Sequence, residues 1–174
     1  MPIITLASDF GQTDGYVGAM KGVILSICPQ ATMVDVTHEI PPQDVHRAAH
    51  ILRAVAPYYP PGTVHIVVVD PGVGSARRPL AIQTDDAFFV GPDNGLFTAI
   101  LKDVRTIRIV HLDQPRYWRS AISRTFHGRD VFAPVAAHLA NGVPLGRIGT
   151  PISDPVVLDR TYASDIWIVG DCNC

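Results

Sequence analysis

The sequence is short of the features that mark secreted, membrane or nucleic-acid-binding proteins. Its 174 residues hold three cysteines, Cys28, Cys172 and Cys174. An odd number in a chain this long argues against a disulfide framework and implies a reducing, cytoplasmic setting. Cys172 and Cys174 form a C-x-C that lacks the further ligands a metal site needs, so it is read as tail. No apolar run approaches the roughly 20 residues of a membrane helix. The opening MPIITLASDF lacks the basic start and apolar core of a signal peptide. The net charge is −2, without a basic block, so nucleic acid has no electrostatic footprint to bind. No G-x-G-x-x-G, no G-K-[ST] loop ending and no H-E-x-x-H is present, which leaves a dinucleotide fold, a P-loop and a zinc-protease site unsupported. His46 and His50, four apart, sit among ordinary surface positions of a helix, and no metal site is expected.

What is present suits one ordinary domain. The composition is 47% hydrophobic and 17% charged, enough apolar sequence for a sizeable core. Strand-like and helix-like runs alternate. Residues 3–8 (IITLAS) read as a buried strand that ends on Asp9 and Gly11. Residues 14–28 carry Val17, Met20, Ile24 and Ile27 at helical spacing, and Pro29 stops them. Residues 32–38 read as a second strand. Prolines open a helix with Val45, Ala48, Ala49, Leu52 and Val55 on one face. VHIVVVD, residues 64–70, is nearly all apolar, as a strand covered on both faces should be. LAIQT and AFFVG flank an Asp-Asp pair and imply a hairpin. PDNGLFTAIL begins a helix, TIRIVHL is a strand, and residues 128–142 are helical, interrupted by Pro134 and closed by Asn141-Gly142. Residues 166–170 read as the beginning of a further strand. The pattern predicts an α/β layered domain, a largely parallel central sheet flanked by helices. Sites in such sheets lie beyond the carboxyl ends of the strands, and Asp9 and Asp70 both stand there.

Three loops carry candidate chemistry. SDFGQTDGYVG sets Asp9 and Asp14 among glycines, where carboxylates can accept from ribose hydroxyls or an ammonium group, or act as turn and cap residues. DPGVGSARR places Asp70 seven residues before Arg77, close enough for the loop to fold them into an ion pair, while Arg78 is read as solvated. TFHGRDVF puts His127 just ahead of a helix whose first turn holds Asp130. On spacing alone each aspartate and the histidine remain open to a structural reading.

Taken together, the motifs say more. SDFG-x-x-D-x-YVG-x-MKG at 8–22, VDVTH-x-I-x-x-x-D at 34–44, VVVDPGVGS-x-R at 67–77, GPDNGL at 91–96 and TFHGRDVFAPVAAHLA at 125–140 occur in this order. The set closely resembles the S-adenosylmethionine (SAM) hydroxide adenosyltransferases, the adenosine-forming SAM hydrolases related to the SAM-dependent fluorinase and chlorinase. The likeness runs from about residue 3 to 158. It implies hydrolysis of SAM to adenosine and L-methionine by attack of water or hydroxide on the ribose 5′ carbon, with SAM as substrate and no cofactor or metal. By resemblance, Asp70, Arg77 and His127 handle the water. Asp9 binds the ribose, Asp14 lies near the methionine amino group, and Phe126 and Gly128 line the substrate. The halogenating relatives carry tyrosine where Asp70 stands and no histidine at 127, which disfavours halide transfer here. The family is a homotrimer in which SAM lies between one subunit's α/β domain and the next subunit's C-terminal β-barrel. On this resemblance the sequence is expected to lack that barrel. Residues 1–160 are accordingly expected to be the α/β domain, and 161–174 a linker or the truncated start of the β domain. The alternative is a non-catalytic remnant that folds and binds adenosine or SAM weakly.

Overall fold

A computed structural model describes residues 1–103 and 105–158, and the strand expected at 166–170 lies outside them. The described chain runs β1 (Ile3–Ser8), α1 (Tyr16–Ile27), β2 (Thr32–Thr37), α2 (Val45–Val55), β3 (Thr63–Val68), β4 (Pro79–Thr84), β5 (Ala87–Pro92), α3 (Thr98–Asp103), β6 (Thr106–His111), α4 (Ala133–Ala140), α5 (Leu145–Ile148) and β7 (Thr150–Pro151). These strands form one sheet in the order β2-β1-β3-β5-β4-β6-β7. The β2-β1-β3-β5 half is parallel. The expected β4–β5 hairpin reverses the chain and makes the remaining pairings antiparallel.

The period-two alternation of β3 explains the two layers. Val64, Ile66 and Val68 face one side, where they meet Ile4 and Leu6 of β1, Met20 and Ile24 of α1, and Phe132, Val135 and Ala136 around α4. Val67 and Val69 face the other, against Ala48 and Leu52 of α2 and Ile100 of α3. All six residues of β3 are buried, as a central strand covered on both faces requires. α2 starts as its sequence dictates, with the Asp44 side chain accepting from the Arg47 N–H at 2.8 Å. The helix expected to begin within PDNGLFTAIL starts only at Thr98. The Asn94 side chain instead engages the backbone, accepting from Leu96 N–H and donating to the Val69 carbonyl.

The helix over 128–142 is two structures. Residues Gly128–Phe132 form a π-helical turn, with the Ala133 N–H reaching the Gly128 carbonyl, and α4 follows. Pro134 supplies the reason. Proline has no N–H to give the carbonyl four residues back, at Asp130. That carbonyl accepts from the Arg119 N–H at 2.9 Å instead. Such π turns concentrate at functional sites, and this one directly follows His127.

Candidate active site

Ser8 and Val68 are register partners on adjacent parallel strands. Asp9 and the Val69-Asp70 pair therefore leave the sheet side by side at its carboxyl end. Beyond Asp70 the chain folds into tight turns. Val73 N–H donates to the Asp70 carbonyl at 3.2 Å, and the Ser75 N–H and hydroxyl both donate to the Gly72 carbonyl. These turns return Arg77 to Asp70. Arg77 Nε donates to Asp70 Oδ1 at 3.0 Å and Nη2 donates to Oδ2, a bidentate pair. Both side chains are buried, at 5% exposure for Asp70 and 6% for Arg77. Arg77 Nη2 also donates to His127 Nδ1 at 3.1 Å, and its guanidinium carbon lies 5.5 Å from the Phe132 ring centre.

This contact fixes the histidine's chemistry. A guanidinium only donates, so Nδ1 presents its lone pair and the neutral ring carries its proton on Nε2. Burial lowers the His127 pKa from its ordinary value and Arg77 lowers it further, against opposing pulls from Asp70 and Asp130. Burial pushes the Asp70 carboxyl up, while Arg77, His127 and the Gly72 N–H draw it back. Arg77 Nη1 is buried and meets no acceptor among the described residues. A buried donor of this kind calls for an acceptor oxygen.

Gly74 brings the two loops together. Its φ is +77°, and a Cβ there would stand 2.5 Å from the Arg124 carbonyl oxygen, three residues before His127. Gly74→Ala therefore combines left-handed strain of roughly 1–2 kcal/mol with a backbone clash. We expect it to destabilise the chain and to separate His127 from Arg77, readable by urea denaturation and by the His127 ring resonances. A variant as stable as the parent would contradict this packing.

Asp9 is held differently. Its Oδ2 accepts from the Gln43 N–H at 2.9 Å. Gln43 has a φ of 65°, the one non-glycine positive φ among the described residues. Sequence reading missed Gln43, because nothing in PPQD announces such a backbone angle. Phe126 and Gly128 lie in the packing beside the site. The Phe126 ring meets Phe10 and Tyr16 at centroid distances of 5.8 and 5.0 Å, and Arg129 stacks on it at 4.8 Å. A Cβ on Gly128 would press within 3.2 Å of Met20 Sδ and the Phe10 ring. Asp14 is exposed, and among the described residues no hydrogen bond or ion pair engages its side chain. It does not cap α1 either. Arg78, expected to be solvated, is instead bonded to Asp93 and Asp154. The wholly buried Asp130 accepts from Arg129, Arg119 and the Ser123 N–H, and so anchors the loop ahead of His127.

A parallel half-sheet with a buried Asp–Arg–His cluster at its carboxyl end defines an α/β domain with an enzyme-like site. Residues 4–149 match the family described as SAM hydroxide adenosyltransferase N-terminal domain, and the chain belongs to that family. It is 46% identical over 160 residues to the (R)-S-adenosyl-L-methionine hydrolase of Salinispora arenicola, covering 91% of this chain and 60% of that one. It is 31% identical to the fluorinase of an Actinoplanes species, over 90% of this chain and 60% of that one. A solved structure of a conserved protein from Thermotoga maritima, titled uncharacterized, superposes with a TM-score of 0.87 at 41% identity, covering 89% of this chain and 60% of that one. The chain thus spans about three fifths of the length of these relatives.

Proposed function

We propose that this chain is the α/β part of an enzyme that hydrolyses SAM to adenosine and L-methionine. The observation that carries the reading is the buried Arg77 guanidinium, which bridges Asp70 and the lone pair of His127 while one of its nitrogens has no acceptor. The hydrolase name of the relative at 46% identity supports the same reaction. A water that inserts between Arg77 and His127 takes the place of their direct contact, accepting from Arg77 and donating to Nδ1. Its oxygen attacks the ribose 5′ carbon as the carbon–sulfur bond breaks, and the bonding pair leaves on sulfur as the methionine thioether. The water's proton passes to His127. The positive charge passes from the sulfonium to His127 in this step, in a site where fixed protein dipoles take the place of bulk water. Arg77 stabilises the hydroxide character that develops. Asp70 holds Arg77 in place, and Asp9 accepts from the ribose hydroxyls. Subunits associate as trimers, so that a neighbouring C-terminal region completes each pocket.

The test is to incubate SAM with the chain, alone and extended by the C-terminal portion of a relative, and to follow adenosine by chromatography. The extended form should turn over. Absence of adenosine from both forms would overturn the reading. The pH profile of kcat/KM should rise as His127 loses its proton and level off, with its midpoint below the ordinary histidine value because the pKa is lowered. A midpoint above that value would remove His127 as the base.

A further inference from the structure

The VDVTH stretch contributes no residue to the cluster above, yet its histidine is buried next to the Asp9 loop. His38 is 3% exposed and Ser8 1% exposed. Ser8 Oγ lies 2.8 Å from His38 Nδ1, and His38 Nε2 lies 3.0 Å from Asp35 Oδ1. The other oxygen, Asp35 Oδ2, accepts from Lys21 Nζ at 2.5 Å. At the inner end, Ser8 Oγ accepts from the Phe10 N–H at 3.4 Å, and the His38 carbonyl accepts from the Gly11 N–H at 2.8 Å. The chain of bonds brackets Asp9 on both sides.

We propose that Asp35, His38 and Ser8 form a directional relay that positions the Asp9–Phe10 loop for substrate. This rests on the reading that Asp9 faces the substrate. The direction follows from donor and acceptor chemistry. A carboxylate only accepts, so His38 carries a proton on Nε2. Nδ1 of the neutral ring is then a lone pair, and the Ser8 hydroxyl must donate to it. With its proton committed, Ser8 Oγ turns a lone pair to the Phe10 N–H. These are positioning residues: Ser8 is too buried to act as a nucleophile, despite the serine–histidine–aspartate order.

Lys21 makes the relay testable by an isosteric change. In Asp35→Asn, the donor-only Lys21 demands the amide oxygen. The amide NH2 then faces His38 Nε2, which must become the lone pair, and the ring proton moves to Nδ1. The Ser8 proton loses its acceptor, and the hydroxyl turns from the geometry that serves Phe10. The Asp35 side chain is 40% exposed, so the change leaves the core intact.

Nitrogen-15 NMR of the imidazole at about pH 8, where free histidine is neutral, reads the tautomer directly. We expect a proton on Nε2 in the parent and on Nδ1 in Asp35→Asn. Adenosine, titrated by calorimetry, should bind Asp35→Asn and Ser8→Ala about tenfold more weakly, the worth of one hydrogen bond. Ser8→Thr, which keeps the hydroxyl, should restore most of the affinity. A parent ring protonated on Nδ1, or parental adenosine affinity in both variants, overturns the proposal. If the parent binds no adenosine, the functional reading of Asp9 falls, and amide exchange decides the relay. Faster exchange at Phe10 in both variants upholds it, and unchanged exchange overturns it.

Discussion

Asp70→Ala is expected to destabilise the chain by about 3–5 kcal/mol, the usual consequence of leaving one partner of a buried ion pair alone. Arg77 is 6% exposed, lies against Phe132 and gives two of its nitrogens to Asp70. Without the carboxylate, its charge keeps only the weak acceptor His127 Nδ1. Removing both charges, as Asp70→Ala with Arg77→Met, should recover much of the loss, because the orphaned charge is then gone. Urea denaturation of the two single variants and the double variant measures this coupling. A single-variant loss under about 1 kcal/mol, the range of an exposed pair, would show that the pair is not buried in solution. In a chain extended to the relatives' length, the same substitution should lower kcat more than it raises KM. A change confined to KM would reassign Asp70 to substrate binding.

The second large effect is acid sensitivity centred on His65. This residue of β3 is 1% exposed, packed between Tyr59 and Phe89, with Nδ1 2.8 Å from Thr5 Oγ1 and Nε2 without a partner among the described residues. Burial lowers its pKa from 6.5 to about 4. The unfolded chain therefore takes up a proton near 6.5, whereas the folded chain resists until about 4. Stability rises with pH across that window. It is fully present above 6.5 and lost as pH falls towards 4, by roughly 3 kcal/mol at 1.36 kcal/mol per tenfold change in proton affinity. His127 and His138 are lowered too and act in the same direction. Subtracting the pH dependence of His65→Gln from that of the parent isolates the contribution. Parallel curves for the two proteins between pH 4 and 6.5 would refute it. Histidine here serves the core: stacked on Phe89, it fills a β3 position facing α2.

Much of the fold was legible because local rules and burial agree. VHIVVVD could only be a strand covered on both faces, and β3 is an interior strand with all six residues buried. The alternation of LAIQT and AFFVG about two aspartates gave the β4–β5 hairpin. The Asp70–Arg77 pair could be read from a seven-residue loop with two glycines, and placing Asp9 and Asp70 at one sheet end required only that their strands be parallel. Family motifs supplied His127, whose own spacing could not separate a site from a structural role.

Other features depend on contacts between segments far apart in the chain. Arg77 turns to Asp70 as its spacing implied, whereas the partners of Arg78, Asp93 and Asp154, come from distant segments that only the fold brings beside it. Pro134 announced an interruption, but its form as a π turn depended on the Arg119 N–H arriving to take the Asp130 carbonyl. Gln43 takes up its left-handed angle where its N–H meets Asp9, 34 residues earlier in the chain. His38 finds Asp35 three residues back on its own segment, but its second partner, Ser8, arrives only because β1 and β2 pair in parallel. The sequence by itself determined the layers, the strand that carries Asp70 and the loop that returns Arg77, because hydrophobic period and turn chemistry act over a few residues. Tertiary structure decided which of several equivalent polar groups are buried together, since a buried donor or acceptor must find its partner wherever the fold brings one.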